Sequence, residues 1–558
     1  MSEATERQER QPNALVRFFT PKPLPSDVDG PDGVKASRFS TIYRLRDDLP
    51  LRADEPLSWL VTLGLMLLAL ATRLPNLAQP KEIIFDETYY AKEAWSVLHF
   101  GYARNWPDGA NDMILEGNTD VWEQTADFVV HPMLGKWLIA AGEWMFGMNS
   151  YGWRFMAVIF GVLLVGATTR MARRLSRSTL VGAIAGLFIV CDGLSFMLSR
   201  IALLDGFQAP LAVIAVAFVA RDRDWFRNKL ADYLEAHGMS NLDGHYGPLL
   251  LWRPYRLLAG VFFGLSCGVK WNTMYMLAAM GLFSIVMDWR SRRTAGARSE
   301  SWRSLFVDGP LAFFYLVIVA IGSYLATWTS WFVTAGGWDR QWALTNQDTT
   351  SVRSFGNALA SLWHYHVAIW DFHVGDYMAA ATHPYSATPW QWIFMGRVIG
   401  IHVDSNIQPG VDGCDADAGS YCLRVITGMG TPALWWMAAI AVVAGLVFWL
   451  FGRDWRFALP LAAAGAVWLG WFPNADRPLF YFYAIMLIPF TATVLAMCTG
   501  KILGPADAPP PVRRRRAIIA GGLVLLVVLN FIFIFPVASD QLLTHWQWQM
   551  RMWFRTWI

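Results

Sequence analysis

The chain reads as an all-α polytopic membrane protein. About 11 transmembrane helices are expected, with the N-terminus in, the C-terminus out and interfacial helices in the first outer loop. Three observations carry this reading. Of the 558 residues, 55% are hydrophobic, and mean hydropathy is +0.31. Charged residues are 16%, against roughly 25% in a soluble domain. Placing the N-terminus inside puts 31 of the 46 Lys and Arg in the N-terminal tail and the loops on its side, the asymmetry that sets orientation in a membrane. The net charge of +3 is too small to point to nucleic acid.

The first 56 residues are polar, rich in Pro, Asp and Arg, and lack an apolar run. They read as a disordered cytoplasmic tail without a cleavable signal peptide. Apolar stretches follow at 57–73, 151–170, 179–197, 203–220, 257–269, 273–287, 305–328, 434–451, 457–471, 479–498 and 517–537. A full span needs about 20 apolar residues, so the shorter stretches are the less secure. Together, 57–537 form one transmembrane domain. The apolar stretch 133–146 is too short for a span and reads as an interfacial or re-entrant helix. The outer side then holds two long loops, 75–150 and 329–431, and a Trp-rich tail, 538–558. The 30 Trp suit aromatic belts and stacking on a sugar or lipid.

Cys414 and Cys422 flank seven residues of the second outer loop. An oxidising exterior would let them pair; two free thiols are the other possibility. Cys191, Cys267 and Cys498 lie in spans, where Cys behaves as a small packing residue.

Adjacent acids, Asp86-Glu87, follow the first span. Ionised carboxylates beside a membrane are costly unless they have a task, so they are candidates for a general base and an accompanying acid. An acidic cap on a surface helix is the plain alternative. What favours chemistry is the company they keep. His131, Lys136, Arg154, Arg200, Asp205 and Lys270 stand on separate hairpins, at one depth and on the outer side. Such cations suit an anionic headgroup, above all a phosphate. Lys136 also fits a snorkelling role, and Arg200–Asp205 reads as a structural ion pair. The second loop adds His364, His366, His373, His383, Trp390 and Arg397. No acid or Cys completes a metal-ligand spacing among these His. No metal is expected, and the His and aromatic residues fit a lid over a sugar.

Together these motifs, at 85–90, 131–136, 200–205, 264–271, 383–397 and 477–489, resemble the protein O-mannosyltransferase family, which uses polyprenyl-phosphate-mannose. The Asp-Glu motif is shared with other lipid-phosphate-sugar transferases. The Leu-Leu-Asp, Gly-x-Lys-Trp and Phe-Tyr-Phe-Tyr patterns are more particular. The second outer loop is short where endoplasmic-reticulum members carry a large lumenal domain, so the chain looks like a bacterial, actinobacterial-type member. Met133 stands where the family usually has a second Pro.

The resemblance implies transfer of mannose to Ser or Thr of exported proteins, with inversion, at the outer face of the plasma membrane. Asp86 would be the base and Glu87 would hold the acceptor or orient the site. Arg154, Lys270, Arg397 and His383 would bind the donor phosphate. Tyr90, His131, Lys136, His364, His366 and Trp390 would contact sugar or acceptor. No cofactor is implied, since the lipid-linked donor is a substrate; partners are that donor, the exported polypeptide, the bilayer and the secretion channel. A related transferase acting on a lipid or cell-wall glycan is the close alternative. A lipid-linked-sugar flippase is the distant one, and it would need polar groups through the midplane and on both faces.

Overall fold

The computed structural model describes residues 27–29, 35–37, 40–46, 55–505 and 508–558. Strands β1 (Asp27–Asp29) and β2 (Lys35–Ser37) pair antiparallel. Helix α1 (Thr41–Arg46) buries Tyr43 and Leu45, and Arg46 pairs with Asp232 and Glu235. This part of the expected disordered tail is therefore docked structure; the rest of 1–54 lies outside the described residues.

The bundle is built from α2 (Glu55–Arg73), α3 (Glu87–Phe100), α4 (Leu134–Phe146), α5 (Ser150–Ser176), α6 (Thr179–Val190), α7 (Leu204–Ala236), α8 (Pro254–Cys267) and α9 (Thr273–Ala295). It continues with α10 (Ser301–Ala326), which contains a π-helical turn at Phe314–Ile318. Then come α11 (Thr350–Val374), α12 (Pro432–Leu450), α13 (Trp455–Gly470), α14 (Ile488–Leu503) and α15 (Pro510–Ala538). Among the described residues, six helices are long and apolar enough to cross a membrane: α2, α5, α7, α10, α12 and α15. The other five expected spans fall on helices that are shorter or less apolar.

Local chemistry sets the helix starts and crossings. The Asn149 side chain accepts from Tyr151 N and Gly152 N, both at 3.1 Å, and so opens α5. Ser178 Oγ accepts from Val181 N at 3.3 Å and opens α6. Gly142 and Gly152 let α4 lie against the start of α5; a Cβ at either would strike backbone carbonyl oxygen. Gly260 and Gly264 do the same for α8 against α10, the small-residue contact that membrane helices favour. With 13 residues, α4 is roughly 20 Å long and is too short to span.

One expectation fails. The fold is not all-α, because β3 (Ile399–Ile407), β4 (Cys422–Gly428) and β5 (Leu542–Thr544) form an antiparallel sheet in that order. The sheet ties the Trp-rich tail 538–558 into the fold: Cys422 pairs with Thr544 and Arg424 with Leu542, while Trp557 is buried and its Nε1 donates to Met395 O at 2.5 Å. In the second outer loop, α11 runs with a bend at Gly356, where φ is 74°.

Candidate active site

Asp86 and Glu87 sit at the start of α3, and their surroundings separate their roles. Glu87 is fully buried and every lone pair is occupied. Its Oε1 accepts from Arg154 Nε at 2.8 Å and Ala202 N at 3.1 Å; its Oε2 accepts from Arg154 Nη2 at 2.8 Å and Ile84 N at 3.2 Å. Arg154 is equally committed, donating also to Pro80 O at 2.8 Å and Glu82 O at 2.9 Å. Both side chains are 0% exposed. The pair is a buried clamp joining α3, α5 and the 77–84 segment. Glu87 is thus not placed to hold an acceptor, and Arg154 is not placed to meet a phosphate.

Asp86 differs in every respect. It precedes α3 without capping it, and among the described residues its carboxylate accepts no hydrogen bond. The preceding Phe85 has φ of 49°, a left-handed conformation unusual outside Gly. Its ring packs edge to face against the stacked pair Phe480 and Phe482, at 6.1 and 5.9 Å, so aromatic packing fixes the backbone that aims Asp86. Burial raises the Asp86 carboxyl to about 6, with Asp205 and Glu93 pushing the same way and Lys270 opposing. A carboxylate with free lone pairs and a pKa nearer neutrality is what a general base requires.

Lys270 follows α8. Its Nζ lies 2.6 Å from Asp205 Oδ2 and 5.0 Å from the Tyr483 ring centroid. Burial pulls this ammonium down, but Asp205, with Tyr483 and Asp86 beside it, together outweigh burial and raise it. The expected Arg200–Asp205 pair is absent, because Arg200 instead donates to the carbonyls of Pro75 at 2.7 Å and Asn76 at 2.9 Å. Asp205 Oδ1 is left buried without a partner.

A groove of about 110 Å³ opens beside Lys270, lined by His131, Trp271, His373, Arg477 and Tyr483. Arg477 opens the 477–489 motif and His373 is one of the His of the second outer loop; the sequence assigns neither a specific role at the site. Arg477 Nη1 donates to His373 Nδ1 at 3.0 Å, and His373 Nε2 donates to Val130 O at 2.9 Å. This fixes a neutral tautomer, and burial holds His373 down at about 4. His131 stacks on His373 at 5.2 Å, and burial likewise keeps it well below its usual range. Among the described residues Arg477 Nε is buried with no partner, so this guanidinium retains an unused donor. Tyr90 packs on His131 at 6.4 Å. Lys136 donates to His131 O at 2.5 Å and lies 3.4 Å from Glu93 Oε2; it positions the His131 segment.

The remaining expected residues disperse. His383 lies 4.9 Å from the Phe480 ring and accepts from Tyr385 N through Nδ1, one ring away from Phe85. Arg397 donates to Pro384 O at 2.8 Å and Thr556 O at 2.6 Å; it ties the C-terminal segment down and is no phosphate ligand. His366 is half-buried among Trp271, Trp328 and Tyr324. His364 is stacked on Trp342 at 4.3 Å and bonded to Asp339 at 3.1 Å. Trp390 packs on Trp468 and Phe472. Neither His364 nor Trp390 reaches the groove. Cys414 and Cys422 form a disulfide. Among the described residues no group of three or more His, Cys, Asp or Glu could hold a metal ion.

Known proteins resemble this chain over most of its length. The family model for dolichyl-phosphate-mannose-protein mannosyltransferase matches residues 64–229, and that for the C-terminal four TMM region of protein-O-mannosyltransferase matches 358–557. A polyprenol-phosphate-mannose–protein mannosyltransferase of Mycolicibacterium smegmatis is 35% identical over 90% of this chain and 94% of its own length. One from Mycobacterium tuberculosis is 34% identical over 99% and 98%, and one from Corynebacterium glutamicum 32% over 88% and 91%. The S. cerevisiae protein O-mannosyltransferase Pmt1-Pmt2 complex bound to the sugar donor shares the fold, with a TM-score of 0.67 at 12% identity over 96% of this chain and 97% of the other. The chain is thus a multi-pass membrane glycosyltransferase that belongs to the protein O-mannosyltransferase family.

Proposed function

We propose that this enzyme transfers mannose from polyprenyl-phosphate-mannose to Ser or Thr hydroxyls of exported polypeptides, with inversion, at the extracytoplasmic face of the plasma membrane. The observation that carries the mechanism is the contrast at the start of α3: Glu87 has no free lone pair, whereas Asp86 has all of its own. Asp86 takes the hydroxyl proton as the oxygen attacks C1 of mannose. The bond from C1 to the phosphate oxygen breaks, and its electron pair leaves on the phosphate. That leaving group is already stable, so no protonating acid is assigned. Lys270 and Arg477 neutralise the growing charge in a poorly hydrated groove, where such contacts act most strongly. The one-sided distribution of Lys and Arg supports the outer placement.

Purified protein, labelled polyprenyl-phosphate-mannose and a Ser/Thr-rich peptide test the reading. Mannosyl peptide should form with the anomeric configuration opposite to that of the donor. Retained configuration would remove direct displacement, and transfer to a glycan or lipid but not to peptide would change the acceptor class.

A further inference from the structure

The part of α11 after Gly356 carries an uncovered apolar stripe. Leu359, Trp363, Val367, Trp370 and Val374 are all exposed, Trp363 by 62% and Trp370 by 56%. At 3.6 residues per turn the five fall within an arc of about 80°. The same segment buries Ala360, Leu362, Tyr365 and Ile369 against protein. No charged residue stands on the stripe; Asp371 lies to one side of it. A helix with apolar residues on both its packed and its open side is unsuited to water.

Packing sets the level at which this segment lies. Tyr365 meets Trp328 with ring centroids 5.3 Å apart, and His366 meets Tyr324 at 5.6 Å. Tyr324 is in the last turn of α10, one of the helices able to cross a membrane, and Trp328 follows that helix. The middle of this segment therefore rests where α10 ends. Further along, Trp370 and Val374 share the rim of the Lys270 groove with Met274 and Tyr275, both exposed in the first turn of α9. Tyr275 is followed on the same side of α9 by exposed Leu282 and Val286. The stripe is thus continuous with an uncovered apolar side of the bundle.

We propose that this part of α11 lies along the bilayer surface at the end of α10, with Leu359, Trp363, Val367 and Trp370 sunk between lipid headgroups and upper acyl chains. Its two exposed Trp suit that boundary, and an apolar helix face seats there by burial of area. The segment after Gly356 has no Lys or Arg, so the seating rests on apolar contact and not on headgroup charge. His373 stands beside Val374 and receives Arg477 Nη1, so the lipid surface helps to place one wall of the groove. The seating itself does not depend on the reaction assigned to that groove.

Full-length protein with Cys191, Cys267 and Cys498 replaced by Ala carries Leu359→Cys, Trp363→Cys or Val367→Cys, is spin-labelled, and is reconstituted in phosphatidylcholine nanodiscs. Oxygen, which concentrates among acyl chains, should relax these labels more than a water-soluble nickel chelate does. A label at Asp348, an exposed residue before α11, should show the reverse order. Nickel access along the stripe equal to that at Asp348 overturns the proposal and puts the stripe in water. Shielding from both reagents also overturns it, and assigns the stripe to a protein partner such as a second copy. A double variant, Trp363→Glu with Val367→Glu, keeps the native thiols and alters only exposed positions. Amide hydrogen exchange across 359–374 in the same nanodiscs should rise in that variant; unchanged exchange would count equally against the seating.

Discussion

Two neighbouring carboxylates of the same sequence motif have opposite fates, and geometry assigns them. Asp86→Asn preserves shape but removes the proton acceptor. Transfer should fall about 10²- to 10⁴-fold with the melting temperature unchanged. Glu87→Gln and Arg154→Ala should instead lower the melting temperature, because breaking a buried pair costs roughly 3–5 kcal/mol. Arg154→Lys should not restore it, since a point charge cannot replace a two-pronged contact. Thermal unfolding measured beside activity separates the two classes; an Arg154→Ala protein of full stability and weakened donor use would return Arg154 to the phosphate. The pH dependence has a definite sign. Burial holds Asp86 up at about 6, so the base is competent above that value and is lost as pH falls through it. The rate kcat/KM for peptide should decline about tenfold per pH unit below 6 and flatten above 7. A limb near 4 would contradict the burial of Asp86.

At the scale of elements, the sheet is the feature hydropathy could not reveal. Strands β3 and β4 lie in a loop read only as aromatic and His-rich, and β5 is three residues in a Trp-rich tail. Short strands that pair across a long sequence separation carry no local signal. The helices were legible because apolar runs are long and one-dimensional, yet their ends were not. The apolar stretch 203–220 is only the first part of α7, which runs to Ala236 with Phe226, Leu230 and Leu234 buried near α1; the charges that interrupt the apolar run include Asp222 and Asp224, which are buried and paired with Arg side chains, so they do not end the helix. The role of Trp557 follows from the same closure. Trp557→Ala removes a fully packed ring and the bond to Met395 O, a change worth roughly 3–5 kcal/mol in a core. Limited proteolysis should then cut within 538–558 at protease levels the wild type resists. Mass mapping of the unreduced protein should recover one linked peptide pair for Cys414 and Cys422.

For the whole molecule, charge gives an expected sidedness but is a poor guide to free cations. Many Arg counted toward orientation are paired in the interior: Arg253 and Arg256 with Asp222 and Asp288, and Arg292 with Asp308. Likewise, the Arg and Lys expected to gather round a phosphate were largely consumed by carbonyls and carboxylates. Sequence shows where a cation is but not what already holds it. The region of the active site was legible through its motifs; the division of labour within it was not, because it depends on which lone pairs remain open. Orientation can be measured directly. Single Cys placed at Asp412 and at Arg514, in a background lacking the native thiols, should differ in intact cells: a membrane-impermeant maleimide should label the first and not the second. The reverse pattern would invert the topology.

The pairing of β4 with β5 also dictates an order of assembly. Cys422 meets Thr544, and the chain between them contains α12 to α15. The sheet beside the catalytic end therefore cannot close until those helices are made, threaded and returned. Contacts of such long range are slow to form, and until they do, Arg397 and Met395 lack their partners in the final segment. A nascent chain can thus acquire its first membrane helices and its Glu87–Arg154 clamp early, while one wall of the catalytic end is still unmade. That wall cannot be completed before β5 has been made and brought back to β4.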